Sequence, residues 1–187
     1  GDQVVIVASA MGKTTNKLIA MAKEIGEHVN ERELDSLLST GEQRTITLLA
    51  MAIDALGVPA VSLTGYQCGF ITSDHHSHAR IMDIDITRLK QHLEDDKVVV
   101  VAGFQGANEV GDITTLRFLL INNVISRTAS SSTDPHSFPQ ISFYSDCRCI
   151  NRKIQQFFKF FLHTHHRQRS STHLQRGYII TYKGAID

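Results

Sequence analysis

Two apolar runs constrain this chain more than any other feature. Val4-Val5-Ile6-Val7-Ala8 and Val98-Val99-Val100-Val101-Ala102 are continuous, uncharged and almost wholly β-branched. A strand with one wet face alternates apolar and polar side chains, whereas an unbroken run suits a strand covered on both faces, as in a parallel sheet between helices. The residues between the runs supply helices. Leu18, Ala22 and Ile25 recur at helical spacing, with Thr14 or Thr15 placed to cap the start and Gly26 to end it. Ile46, Leu49, Ile53 and Leu56 mark a longer helix, expected to begin near Ser39 and to end at Gly57 with Pro59 beyond. Residues 60–63 and 79–84 are shorter strand candidates, and Ile86 to Leu93 has a helical pattern. The expected class is α/β with a mainly parallel sheet. Such sheets bind ligands at loops beyond the carboxyl ends of their strands, here 9–15, 64–72 and 103–111.

Composition divides the chain in two. The net charge is zero, but residues 1–116 carry 9 basic and 16 acidic residues while residues 117–187 carry 10 and 3, so a charge of −7 is followed by one of +7. All seven Glu fall in the first part and seven of the nine Phe in the second, which places a boundary near Leu116. No apolar run reaches the ~18 residues of a membrane helix, and the N-terminus lacks the layout of a signal peptide, so neither a membrane protein nor a secreted precursor is expected. Three cysteines, Cys68, Cys147 and Cys149, suit a reducing compartment, and a cytoplasmic location is expected. Gly1 in place of Met leads us to expect a chain that starts inside a longer gene product.

Several motifs have more than one reading. Gly12-Lys13-Thr14 ends like a Walker A loop, G-x-x-x-x-G-K-[ST], between a strand and a helix. The first glycine of that motif falls on Val7, inside the strand, where the phosphate-cradling turn is hard to make, so a P-loop NTPase is kept only as an alternative. Ser39-Thr40-Gly41-Glu42 fits a capping box, S-x-x-E, although the same carboxylate could hold the ammonium of an amino-acid ligand. His75, His76 and His78 sit in a polar loop; Cys147 and Cys149 precede His163, His165 and His166 in the tail. C-x-C followed by H-x-H-H lacks zinc-site spacing, and we assign no metal ligand. The basic tail with Phe157, Phe158, Phe160 and Phe161 is not a stacking platform for bases, and no nucleic-acid partner is expected.

Taken together, five stretches resemble the aspartokinase family, of the amino-acid kinase fold. They are Val5 to Leu18, Leu37 to Glu42, Ser62 to Gly69, Ala79 to Ile81, and Val101 to Gly106 continuing to Asp112-Ile113-Thr114-Thr115-Leu116, in family order. The resemblance implies a three-layer α/β/α sandwich, incomplete here and followed by an atypical C-terminal tail. It also implies a reaction, ATP-dependent phosphorylation of the L-aspartate side-chain carboxylate to 4-phospho-L-aspartate, the first step towards lysine, threonine and methionine. ATP and Mg2+ are the implied cofactors, L-aspartate the partner, and a sister subunit a further candidate. Ser9 would line the ATP phosphates. Lys13, Thr14, Thr15, Asn16 and Lys17 would form the loop around aspartate and the transferring phosphoryl group, Glu42 would bind substrate through its ammonium, and Thr64, Gly65 and Gln67 would shape the pocket wall.

Two departures bear on activity. The family's opening motif K-[FY]-G-G-[ST]-S, whose Lys faces the transferring phosphate, has no counterpart in these residues. After Leu116 the family continues G-R-G-G-S-D, with an Arg for a substrate carboxylate; here the chain reads Arg117-Phe118-Leu119-Leu120, and Arg117 stands at the glycine's place. No catalytic residue is therefore assigned, and impaired transfer is expected. Residues 1–116 read as a partial aspartokinase catalytic domain and residues 117–187 as an unrelated basic tail, for which a frameshift or intron origin is favoured over a genuine lineage-specific segment, and in which Ile154 to Leu162 looks briefly helical and Ser126 to Ser132 disordered. A catalytically inactive ligand-binding or subunit-interaction fragment is the non-enzyme alternative.

Overall fold

The computed structural model describes residues 3–116, 140–145 and 177–184, the last two stretches as backbone. The elements run β1 (Gln3–Ala8), α1 (Thr14–Ile25), α2 (Glu31–Asp54), β2 (Ala60–Leu63), β3 (Phe70–Thr72), β4 (Ile81–Ile84), α3 (Thr87–Glu94), β5 (Val98–Ala102), β6 (Gln105–Ala107), β7 (Ile113–Thr115), β8 (Gln140–Ser145) and β9 (Gly177–Gly184).

The two apolar runs are β1 and β5, neighbours in a five-stranded sheet of order β2-β5-β1-β9-β8 in which every adjacent pair is parallel. Their register, Val5 opposite Val99 and Val7 opposite Val101, stacks like faces together. Because side chains alternate across a strand, the runs feed two cores. Val4, Ile6, Ala8, Val98, Val100 and Ala102 pack on Ile46, Leu49, Ala50 and Ile53 of α2. Val5, Val7, Val99 and Val101 pack on the other side with Leu63, Phe70, Leu89 and Leu93. The expected mainly parallel sheet with both faces covered is thus present.

A second sheet, of order β4-β3-β6-β7, is mixed: β3 pairs antiparallel with β4 and parallel with β6, and β6 pairs antiparallel with β7. Sequence reasoning does not mark β3, β6 and β7 as strands, since three residues give no periodicity to read. Of the strand expected over residues 79–84, β4 begins at Ile81, while Ala79 makes an isolated bridge to Leu116.

Two helix starts differ from expectation. α2 begins at Glu31, not near Ser39, and its cap is Asn30, whose side-chain oxygen accepts from the backbone N–H of Arg32 at 2.9 Å. Ser39 lies inside the helix with its hydroxyl donating to the Ser36 carbonyl at 2.7 Å, which overturns the capping-box reading. The buried positions Asp35, Ser39, Glu42 and Ile46 follow helical spacing, but the first three are polar, so an apolar pattern starts only at Ile46. α1 is capped at Lys13 without a side-chain bond rather than by Thr14 or Thr15.

At the far edge of the first sheet, β9 pairs with β1 and β8 with β9. The expectations for Ser126 to Ser132, Ile154 to Leu162, Cys147, Cys149 and the tail histidines lie outside the described residues.

Candidate functional site at the carboxyl ends of β1 and β5

The ends of the two central strands are tied together where the Gly103 N–H donates to the Ala8 carbonyl at 2.9 Å. A Cβ at Gly103 would stand 2.8 Å from Cγ1 of Val7, so a side chain there would press on β1. From this point two loops leave, 9–13 after β1 and 103–104 after β5. The stretch of α2 from Ser39 to Thr45 meets both.

Toward the first loop, the buried Thr45 hydroxyl accepts from the Met11 N–H at 3.1 Å and donates to the Gly41 carbonyl at 3.0 Å. Arg44 Nη2 donates to Thr14 Oγ1 at 2.5 Å. Gly41 allows this approach: a Cβ in its place would lie 3.2 Å from both Ala10 Cβ and Thr14 Cγ2. Gly12 has φ +52°, a left-handed conformation that glycine adopts without strain, and it turns the loop into α1.

Toward the second loop, Glu42 is 2% exposed. Its Oε2 accepts from the Phe104 N–H at 3.2 Å and from Gln105 Nε2 at 3.3 Å. Gln105 Nε2 also donates to the Ser39 carbonyl at 3.1 Å. Burial pushes the Glu42 carboxyl up to about 8, opposed by the hydrogen bonds from Gln105 and Phe104. The third loop, 64–69, closes on itself: Thr64 N–H donates to Gln67 Oε1 at 3.0 Å and Gln67 N–H to Thr64 Oγ1 at 3.2 Å. Gly65 lies against the Gln105 backbone so closely that a Cβ would fall 1.7 Å from its carbonyl oxygen.

The residues singled out from sequence therefore gather at one end of the sheet. Ser9 is half-buried just past β1; Lys13 is exposed at the start of α1; Thr14 and Thr15 are half-buried and Asn16 and Lys17 exposed in its first turn. Met11 and Thr14 connect this loop to α2 beside Glu42. Glu42 itself faces the 103–105 segment, and among the described residues neither Lys13 nor Lys17 forms an ion pair. The Walker A reading fares differently: Val7 lies within β1, paired with Val101 and 3% exposed, so the turn that a first glycine would make is not found there.

Sequence reasoning missed three buried polar residues that organise the site. Thr45 and Gln105 are two. The third is Asp35, fully buried, whose Oδ1 accepts from Thr115 Oγ1 at 2.6 Å and whose Oδ2 accepts from the N–H groups of Ser77 at 2.9 Å and Thr115 at 3.1 Å. His76 Nδ1 lies 3.2 Å from the same Oδ2. The signal available was the helical spacing of Asp35, Ser39 and Glu42.

Comparison with known proteins accords with this arrangement. The model of the amino acid kinase family matches residues 1–123. The aspartokinase of Geobacillus stearothermophilus is 55% identical over 116 residues, which are 62% of this chain and 28% of that protein. Aspartokinase 2 of Bacillus subtilis is 53% identical over 116 residues, with the same 62% and 28% shares. The crystal structure of aspartate kinase from Synechocystis superposes with a TM-score of 0.57 and 39% identity, covering 75% of this chain and 22% of that one. The chain thus spans little more than a quarter of the curated relatives it matches. A family model over most of the described residues, on a parallel sheet whose strand ends carry the matching motifs, establishes that this chain belongs to the amino acid kinase family.

Proposed function

We propose that this chain carries the aspartate-facing and phosphate-facing part of an aspartate kinase, the enzyme that uses ATP to convert L-aspartate to 4-phospho-L-aspartate early in lysine, threonine and methionine biosynthesis. The observation that carries the reading is the joining of the 9–17 loop and Glu42 through one helix, by the Met11–Thr45 and Thr14–Arg44 hydrogen bonds. Phosphoryl transfer depends mainly on holding nucleophile and phosphate in line and on stabilising spread negative charge. In this reading Ser9 and the backbone at the start of α1 meet the ATP phosphates. Lys13, Thr14, Thr15, Asn16 and Lys17 surround the aspartate carboxylate and the phosphoryl group. The Glu42 carboxylate takes the substrate ammonium, a cation that its neutral neighbours do not supply. Mg2+, which the family resemblance implies, would accompany the phosphates of the nucleotide and share their negative charge. Such an enzyme would work in the cytoplasm.

The same reading makes the chain a weak catalyst. Where the family has G-R-G-G-S-D, Arg117-Phe118-Leu119-Leu120 follows Leu116, removing a preorganised charge whose loss commonly costs about 10²–10³ in rate. That departure favours a second reading, a fragment that binds L-aspartate or a sister subunit without turnover. A coupled assay of ADP release separates the two. Aspartate-dependent release well below that of a full-length aspartokinase assayed beside it supports the impaired kinase. Release indistinguishable from the aspartate-free blank supports the binding fragment, and a rate equal to the full-length enzyme's contradicts impairment.

A further inference from the structure

Gln105 is almost fully buried on β6, yet its side-chain nitrogen reaches back to α2 at two points, the Ser39 carbonyl at 3.1 Å and Glu42 Oε2 at 3.3 Å. A glutamine amide carries two N–H donors, and these two acceptors use both. Its own backbone has little freedom to move. β6 is paired with β7, Gln105 opposite Thr115, and Gly65 is seated against the Gln105 carbonyl with no room for even a methyl group. A side chain held at its root and bonded to two fixed acceptors is preorganised, which is what precise placement of a binding group requires.

We infer that Gln105 is a positioning residue for Glu42, fixing the carboxylate against α2 so that it meets an incoming ligand already oriented. The inference rests on the proposed role of Glu42 in taking a substrate ammonium. The hydrogen-bond geometry does not depend on that role. Gln105 and the Phe104 N–H both donate to the same oxygen, and both are neutral, so they orient the carboxyl group without supplying a countercharge. The charged side chains nearest along the chain are Arg44 and Asp35, both on α2. Arg44 is exposed and engaged with Thr14, and Asp35 is buried and accepts from Ser77 and Thr115. Burial and the two N–H donors are thus the influences on Glu42, and Gln105 is the first of the two that favour its charged form.

The test is a carboxyl-carbon NMR titration of Glu42 in the full chain, wild type against Gln105→Met. Removal of the donor while burial remains is expected to raise the Glu42 midpoint further above about 8, with the amide spectrum otherwise native. An unchanged midpoint in a folded variant overturns the inference. If Gln105→Met does not fold, the wild type decides alone. Its two Gln105 Nε2–H resonances are expected to move with the Glu42 midpoint, and resonances indifferent to that titration contradict the contact. Calorimetry with L-aspartate is the second readout, with an expected loss of roughly tenfold or more in affinity for Gln105→Met, the scale of a hydrogen bond to a charged group. If the wild type binds no L-aspartate, the functional reading fails while the NMR result still decides the role of Gln105.

Discussion

Glu42 shows how a single residue can have a different meaning in sequence and in structure. Four residues, Ser39 to Glu42, satisfy a capping pattern, but a helix that starts eight residues earlier places Glu42 inside it and against the sheet. The consequence is a measurable pH dependence. A carboxyl whose midpoint is about 8 in the folded chain and near 4.5 when unfolded binds more protons when folded, so it favours folding at low pH. That contribution is complete below about 4.5 and lost as pH rises through about 8. Urea melts of wild type and Glu42→Gln at pH 5, 7 and 9 are therefore expected to diverge. Wild type should lose up to a few kcal/mol relative to the variant, since each tenfold difference in proton affinity between the folded and unfolded chain is worth ~1.4 kcal/mol. Parallel curves would contradict a buried carboxyl without a cation. Asp35 is a different case because donors surround it. Asp35→Ala strands the Thr115 hydroxyl and N–H and the Ser77 N–H, and is expected to cost about 3 kcal/mol or more, read as a lower urea midpoint. Residues of this type were the least legible. A helix face reads as core when it is apolar, and the upper half of this one is buried but polar.

At the scale of elements, legibility followed length. β1 and β5 were readable because continuous β-branched runs have one economical solution, and the lower half of α2 because Ile46, Leu49 and Ile53 repeat at helical spacing. β3, β6 and β7 were not, since three residues carry no pattern and the contacts that make them strands come from elsewhere in the chain. The upper half of α2 is where the correction is testable. Asn30→Ala removes the side-chain acceptor for the Arg32 N–H and is expected to lower stability by about 1 kcal/mol, with an unchanged urea slope. Ser39→Ala, which a capping-box helix could not tolerate as well, is expected to cost less than Asn30→Ala. The reverse order would restore the shorter helix. Close backbone approach makes its own prediction: in Gly65→Ala the new methyl would meet the Gln105 carbonyl at 1.7 Å, so the 64–69 turn or β6 must shift. Broadened or displaced amide resonances for Phe104 and Gln105 are the expected sign.

Across the whole molecule, one sheet with two cores brings together segments that are far apart in sequence, and the site lies where its central strands end. That the 9–15 and 103–111 loops lie together at the ends of β1 and β5 was legible from the two apolar runs, and the rule that parallel sheets bind ligands there makes this the candidate site. The bonds that join the loops were not legible, because they run through Thr45 and Gln105, which no motif marks. The charge changes sign near Leu116, and the family model's match reaches residue 123. In the proposed reading the loop after β1 and the Glu42 carboxylate form an L-aspartate site within this chain, and calorimetric titration of L-aspartate into the purified full chain, with Mg-ADP present, decides whether they do. Saturable heat that disappears in Glu42→Gln is the predicted result; no heat in the wild type, or the same isotherm in the variant, would contradict it.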